Sequence, residues 1–242
     1  KTVCDLDMCN GCMACIDKCP KQSIKLCDSL FSYNAVINVE SCINCGLCEK
    51  VCPNKSLVSK ESQIYCYQGW ANDEIRKQAT SGGIATTLLI DFVKAGGYVS
   101  ACLFRDGKFI FELTNDLDNI KHFFGSKYVK SDPTGIYQKI KERLKTDKVL
   151  FVGLPCQVAA LKNYIGSLTN LYTIDLICHG TPSPKLLQKS LRDYHIKLED
   201  VENISFRDKN DMGISINQKR LIGKRVADEY TCAFLSAIDY TE

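Results

Sequence analysis

Apolar positions in this chain come in short blocks between polar turns, and the spacing within each block sets the element it predicts. Lys148 to Leu154 is nearly continuously apolar, the pattern of a buried strand. It runs directly into Pro155-Cys156-Gln157 and a helix through Tyr164. Leu171 to Cys178 predicts another strand, ended by His179-Gly180, and Pro184 opens a helix to about Lys197. Val201 to Phe206 reads as a last strand. The tail from Arg207 is charged, with a helix near Asp228 to Ala237. This alternation from residue 148 onward implies parallel strands with helical crossovers. Ligands in such sheets sit beyond the C-terminal ends of the strands. If the two cysteine-ended strands are neighbours, Cys156, Cys178 and His179 converge at one edge.

Upstream, Ile84 to Lys94 has helical periodicity and follows Thr80-Ser81-Gly82-Gly83. Thr80 or Ser81 serves as the cap, and the glycines let a ligand approach the backbone. Such a helix start is either an anion site or an ordinary capped terminus. Gly96-Gly97 ends the helix. Tyr98 to Phe104 and Phe109 to Leu113 predict a hairpin around Arg105-Asp106-Gly107-Lys108. Asp116 to Phe124 reads as a helix, and so does Pro133 to Lys145, with Pro133 in its first turn. Residues 61–79 are polar, carry the only tryptophan, Trp70, and read as a linker. Near the start, Ile24 to Leu26 and Ala35 to Val39 look like short strands.

Those two strands lie between the two copies of one cysteine run. The first is Cys9, Cys12, Cys15, Cys19, Pro20; the second is Cys42, Cys45, Cys48, Cys52, Pro53. Both read C-x2-C-x2-C-x3-C-P, the spacing of bacterial ferredoxins with two 4Fe–4S clusters. Closely spaced thiolates wrap a cubane only if the backbone curls, and Asn10-Gly11, Asn44 and Gly46 tolerate the positive φ that this needs. The fourth cysteine is expected to start a short helix that crosses to the other cluster, and the proline turns the chain away. Cys9, Cys12, Cys15 and Cys52 are thus assigned to one cluster, and Cys42, Cys45, Cys48 and Cys19 to the other. Structural zinc does not call for this run in duplicate. Disulfides between such close cysteines would close no useful loop. Ile16, Ile24, Ile37, Ile43 and Val51 are expected to shield the clusters from water.

Composition bounds the rest. The chain has 242 residues, 45% hydrophobic and 24% charged, room for a small module and one ordinary domain. The expected division is residues 1–60 for the cluster module and 61–242 for a mixed α/β domain, an α+β piece followed by an α/β piece. A net charge of +3, spread along the chain, argues against nucleic-acid binding. The longest apolar stretch, Ile84 to Val93, is too short to span a bilayer and contains Asp91. Fifteen cysteines without a leader suit a reducing, cytoplasmic setting. The chain starts at Lys1, as a trimmed sequence would. Cys27 and Cys102 are read as packing, His122 and His195 as surface helix residues. Cys156, at a predicted helix start, is favoured as a thiolate. His179 either donates to a ligand or satisfies a carbonyl.

Four further motifs occur in order: Ser81-Gly82-Gly83, Ser126-Lys127-Tyr128-Val129, Leu150 to Leu161 with Pro155-Cys156-Gln157, and Asp175 to Ser183 with Cys178-His179-Gly180. From about residue 66 to 242 the chain resembles the coenzyme F-420 hydrogenase/dehydrogenase beta-subunit family. Its cluster module resembles that of bacterial members carrying their own clusters. The resemblance implies a flavin-binding domain and an iron–sulfur flavoprotein oxidoreductase. FAD would mediate between two 4Fe–4S clusters and a two-electron acceptor, F-420 or another oxidised small molecule. An external one-electron donor or redox partner protein would supply electrons.

By the same resemblance, Ser81, Gly82, Gly83, Ser126, Lys127, Tyr128, Pro155 and Gln157 are candidates for the flavin site. Cys156, His179 and Lys127 are candidates for the chemistry. Cys156 and Cys178 would lie near the flavin and could join a third 4Fe–4S cluster in a longer chain, since the family's next cysteine pair and glycine-rich acidic motif fall beyond Glu242. The competing expectations are a non-catalytic electron-transfer subunit docked on an enzyme, and a thiol sensor using Cys156 and Cys178.

Overall fold

The computed structural model describes residues 1–30, 32–56, 62, 64–166, 168–208, 211–222 and 228–236. In the first part the doubled sequence makes a doubled structure. Helix α1 (Ala14–Lys18) and helix α2 (Leu47–Val51) follow the two cysteine loops, with the hairpin β1 (Ile24–Asp28) and β2 (Tyr33–Ile37) between them. The hairpin is antiparallel with Ile24 opposite Ile37. The fourth cysteine, Cys19 or Cys52, ends a helix rather than starting one, in extended conformation, because the following proline disfavours the α region for its predecessor.

Each cysteine loop contains two left-handed residues, Gly11 and Met13 in the first, Asn44 and Gly46 in the second. The positions correspond, and each copy places glycine at only one of them. Met13, not Asn10, therefore accepts the strained conformation in the first loop.

Helix α3 (Asp73–Gln78) and helix α4 (Ile84–Lys94) lead into a four-stranded mixed sheet, with the short α5 (Leu117–Ile120) after its hairpin. It is built from β3 (Tyr98–Arg105), β4 (Lys108–Thr114), β5 (Val149–Gly153) and β6 (Leu171–Asp175), in the order β4-β3-β5-β6. The β3–β4 pair is antiparallel and closes through Asp106-Gly107, both at positive φ, the turn that matches strand twist. β3, β5 and β6 are parallel. β5 is buried along its whole length. Its Leu150 and Val152 face a core with Leu89, Val93, Leu103 and Phe123, and its Val149 and Phe151 face the opposite core. That second core contains α6 (Ile136–Arg143) and α7 (Pro155–Ile165), and it continues without a break into Val3, Ala14, Ile24, Ile37 and Val51 of the cluster module.

Several expectations are corrected. α4 is capped by Gly83 in the left-handed region, not by Thr80 or Ser81. A Cβ at Gly83 would come within 2.9 Å of Ala71 Cβ, so the turn demands glycine for space as well as for φ. α6 starts after Gly135, leaving Pro133 outside it. The linker contains α3, capped by the Asn72 side chain, which accepts from Ile75 N at 3.0 Å.

Parallel pairing stops at β6, which ends at Asp175 rather than Cys178. After α8 (Pro184–Arg192), strands β7 (Ile204–Asp208), β8 (Asp211–Ile216) and β9 (Lys219–Arg220) form a separate antiparallel sheet. β8 went unread because Asp211 and Met212 precede only one short apolar alternation, Ile214 to Ile216. Helix α9 (Glu229–Ser236) closes this sheet, and the expected end at Ala237 lies outside the described residues. Buried Asp228 anchors it, accepting from Ile214 N and Thr231 N at 2.8 Å each. Among the described residues no helix is long and apolar enough to cross a membrane.

Candidate metal centres and redox site

The cysteine runs sort into two cavities. One, of about 370 Å³ including its open mouth, is lined by Cys9, Cys12, Cys15 and Cys52 together with Cys4, Val3, Leu26 and Ala35. The other, of about 710 Å³ including its open mouth, is lined by Cys42, Cys45, Cys48 and Cys19, with Lys1, Lys21 and Ile43 at its wall. The crossing arises because α1 and α2 lie against each other, so that each helix end delivers its last cysteine to the other loop. Backbone N–H groups point at sulfur in both: Gly11 N to Cys9 Sγ at 3.4 Å, Asn44 N to Cys42 Sγ at 3.4 Å and Ser23 N to Cys19 Sγ at 3.3 Å. The left-handed residue two positions after the first cysteine aims that amide back at the sulfur.

The cavities differ in exposure. In the first, Cys12, Cys15 and Cys52 are buried; in the second, Cys45 is exposed and the other three are half-buried. Ile43, expected as a shield, is 56% exposed. Burial pushes the Cys12 thiol up to about 12 and raises Cys15 further. A bare thiolate is therefore disfavoured there unless a cation compensates it, which suits metal ligands. Among the described residues, no three His, Cys, Asp or Glu converge on a single-ion site. Each donor set, four thiols around one cavity with amides directed at sulfur, fits a 4Fe–4S cluster. Cys4 went unread: it lies outside the repeat, yet it is buried on the first cavity, with its thiol raised to about 11 by burial and then by Cys9 and Cys52.

The first cavity abuts the mixed sheet. Tyr137 of α6, fully buried, donates its hydroxyl to Cys12 O at 2.7 Å. The Asp17 carboxylate of α1 accepts from Gly135 N at 2.6 Å, capping α6 from across the seam. Burial still holds that carboxyl above its ordinary range. Lys18 lies 4.3 Å from the ring centroid of Tyr164 on α7.

β5 and β6 are neighbours, and Leu176 N donates to Gly153 O at 2.9 Å beyond their ends. The turns bearing Cys156 and Cys178 therefore meet at one sheet edge, where the Cys178 thiol helps to raise Cys156. Cys156 is not the favoured thiolate expected from its place at the start of α7. Burial raises it, outweighing Lys130 and the helix amides that pull it down. Cys178 and His179 are exposed. Gly180 N donates to Cys178 Sγ at 3.3 Å, the same amide-to-sulfur turn as at Cys9 and Cys42. Cys27, read as packing, is exposed. His195 sits at positive φ just past α8, not on a helix.

The remaining candidates fall into two groups. Thr80 Oγ1 accepts from Ser126 N at 2.8 Å, which ties the Ser81-Gly82-Gly83 turn to the Ser126-Lys127-Tyr128 turn and leaves Ser81 and Ser126 exposed. Lys127 points inward, donating to Phe123 O and Phe124 O at 2.9 Å and to His122 O at 3.4 Å. Tyr128 stacks on Phe234 of α9, and Tyr230 donates to its carbonyl at 2.6 Å. Gln157 is buried: it accepts from Leu154 N and donates to Ser131 Oγ, closing the α7 start beside Pro155.

Burial lowers the Lys127 amine from 10.5 to about 8. Between those values the unfolded chain holds a proton that the folded chain has released, so this group adds stability as pH rises through that window and loses it as pH falls toward 8. Relative to Lys127→Gln, wild-type stability is expected to gain between pH 7.5 and 9.5 in denaturant unfolding. A constant gap would show that the amine is not buried as described.

With both sites described, comparison with known proteins places the chain. Residues 8–56 match the 4Fe-4S dicluster domain, which supports iron–sulfur clusters in this part of the chain. Residues 146–232 match the model of the C terminus of the coenzyme F420 hydrogenase/dehydrogenase beta subunit. A chain from the xenon-derivatised F420-reducing [NiFe] hydrogenase complex of Methanosarcina barkeri is similar at 22% identity with a TM-score of 0.47, over 62% of this chain and 56% of that one. This chain thus spans little more than half the length of that solved relative. No curated protein matches.

Proposed function

We propose that this chain is an iron–sulfur flavoprotein subunit of an oxidoreductase. It accepts single electrons from an external donor or redox partner protein and delivers pairs to a small oxidised acceptor of the F-420 type. The observation that carries the reading is the sorting of eight cysteines into two four-thiol cavities, one open to solvent and one pressed against the mixed sheet. Bound 4Fe–4S clusters supply one-electron storage, and bound FAD supplies the change from one- to two-electron chemistry.

The residues divide the work. Cys42, Cys45, Cys48 and Cys19 hold the outer cluster where a donor reaches it. Cys9, Cys12, Cys15 and Cys52 hold the inner one, and Val3, Leu26 and Ala35 keep water from it. Amides of Gly11, Asn44 and Ser23 offset negative charge on sulfur. The exposed hydroxyls of Ser81 and Ser126 are free to bind a flavin at the joined turns. Lys127, Tyr128 and Gln157 hold those turns and the α7 start in shape from inside. Cys156, near Cys12 of the inner cavity, and Cys178, at the sheet edge, would ligate a further cluster. Fifteen cysteines, eight of them cluster ligands on this reading, suit a reducing, cytoplasmic setting.

A relay without a flavin is the second reading, favoured by the internal engagement of Lys127 and Gln157. An anaerobic count of iron, sulfide and flavin, with spectra before and after dithionite, separates the two. About eight irons with one FAD per chain is the expected result. About eight irons that bind no added FAD would leave the relay reading, and about twelve would place Cys156 and Cys178 on a third cluster. Iron near zero after reconstitution would overturn both readings.

A further inference from the structure

We propose that Lys130 places a fixed positive charge beside the inner cluster, held by Cys9, Cys12, Cys15 and Cys52, and makes it the more easily reduced of the two. The inference rests on the cluster reading above and goes beyond it to the order of the potentials.

Lys130 is only 9% exposed, unusual for a residue that costs so much to desolvate. Among the described residues no carboxylate forms an ion pair with it. Its ammonium instead donates to Asn10 O at 2.6 Å, inside the loop between ligands Cys9 and Cys12, and lies 5.3 Å from the ring centroid of Tyr33. The stem is pinned as well. The Lys130 backbone N–H donates to Pro182 O at 2.9 Å, and a Cβ on Gly11 would come within 3.3 Å of Lys130 Cδ. Gly11 is also the residue whose amide points at Cys9 Sγ. On its other side the same charge reaches Cys156.

A buried cation with no carboxylate partner is an incomplete arrangement. The negative charge that a thiolate-ligated cluster gains on reduction completes it. Such a charge favours the reduced form, and burial keeps solvent ions from screening it. The outer cavity has no counterpart among its lining residues: its lysines, Lys1 and Lys21, are exposed. Electrons entering at the open cluster therefore run downhill to the inner one, toward the sheet edge at Cys156.

The test is an anaerobic redox titration of the full chain followed by electron paramagnetic resonance, comparing wild type with Lys130→Met, Lys130→Gln and Lys130→Arg. Gln retains a donor for Asn10 O without charge, so it carries the comparison if Met fails to load iron. The expected result is that one cluster of the neutral variants shifts its oxidised-to-reduced ratio at least tenfold toward oxidised at fixed potential, ~59 mV for a one-electron couple. The other cluster stays put, and Arg stays within about threefold of wild type. Equal potentials in wild type and a fully loaded neutral variant would overturn the inference while leaving the clusters standing. A wild type that binds no iron would overturn the cluster reading and this inference together.

Discussion

Replacing Cys52 with serine is expected to abolish the cluster served by Cys9, Cys12 and Cys15, although Cys52 belongs to the second sequence run. Replacing Cys19 is expected to abolish the cluster served by Cys42, Cys45 and Cys48. Each change removes about four of about eight irons. The Cys52 variant is best made with Cys4→Ala, because the buried Cys4 thiol lines the same cavity and stands ready to substitute. The readout is iron content with the spectrum of the remaining cluster. Cys52→Ser should leave the same spectrum as Cys15→Ser, and Cys19→Ser the same as Cys48→Ser. The opposite pairing would mean that each run closes on itself and that the α1–α2 crossing is wrong. The two losses should also differ in consequence. Emptying the inner cavity removes support from a seam shared with α6 and α7, so the Cys52 variant should melt lower than the Cys19 variant.

The second large effect is expected at Tyr137. Its ring is fully buried against Tyr164, and its hydroxyl satisfies Cys12 O at 2.7 Å. Tyr137→Phe keeps the ring but orphans a buried carbonyl in the cluster loop, a cost of about 1–3 kcal/mol. Tyr137→Ala also leaves a cavity, for about 3–5 kcal/mol in total. In a chain of this size the second change should lower the melting temperature by roughly 10 °C. Anaerobic melting monitored at both the cluster absorbance and the far-ultraviolet circular dichroism provides the check. The two signals should fall together in wild type. Sheet melting unaffected by Tyr137→Ala would show that the cluster module does not brace the sheet.

The two four-cysteine cavities were legible because local spacing sets them, three cysteines coming from one loop each, although the fourth cysteine ends its helix where the sequence suggested a start. β5 was legible for a similar reason, since burial on both faces leaves an unbroken apolar run at 149–153. What depends on distant partners was not. No feature around Lys130 says that its side chain reaches back to Asn10, and nothing around Asp17 says that it caps α6. Lys127 looked available to a flavin in sequence, but the carbonyls at the end of the Lys121–Phe123 turn take its amine. Met13 is a miss of another kind. It is a non-glycine residue at φ 61, a conformation that sequence preference alone would not place there.

The continuous core from Val3 through Ala14 and Val51 to Phe151 and Leu161 has a consequence for how the protein persists in a cell. A carrier module strung on a flexible tether could lose its iron and leave its neighbour intact. Here the apolar seam closes only when both sides are formed, and one side is built around metal. A chain made under iron shortage carries loosened hydrophobic surface at that seam, which chaperones and proteases recognise. Iron supply is thereby expected to govern how much of the whole polypeptide survives, the sheet included.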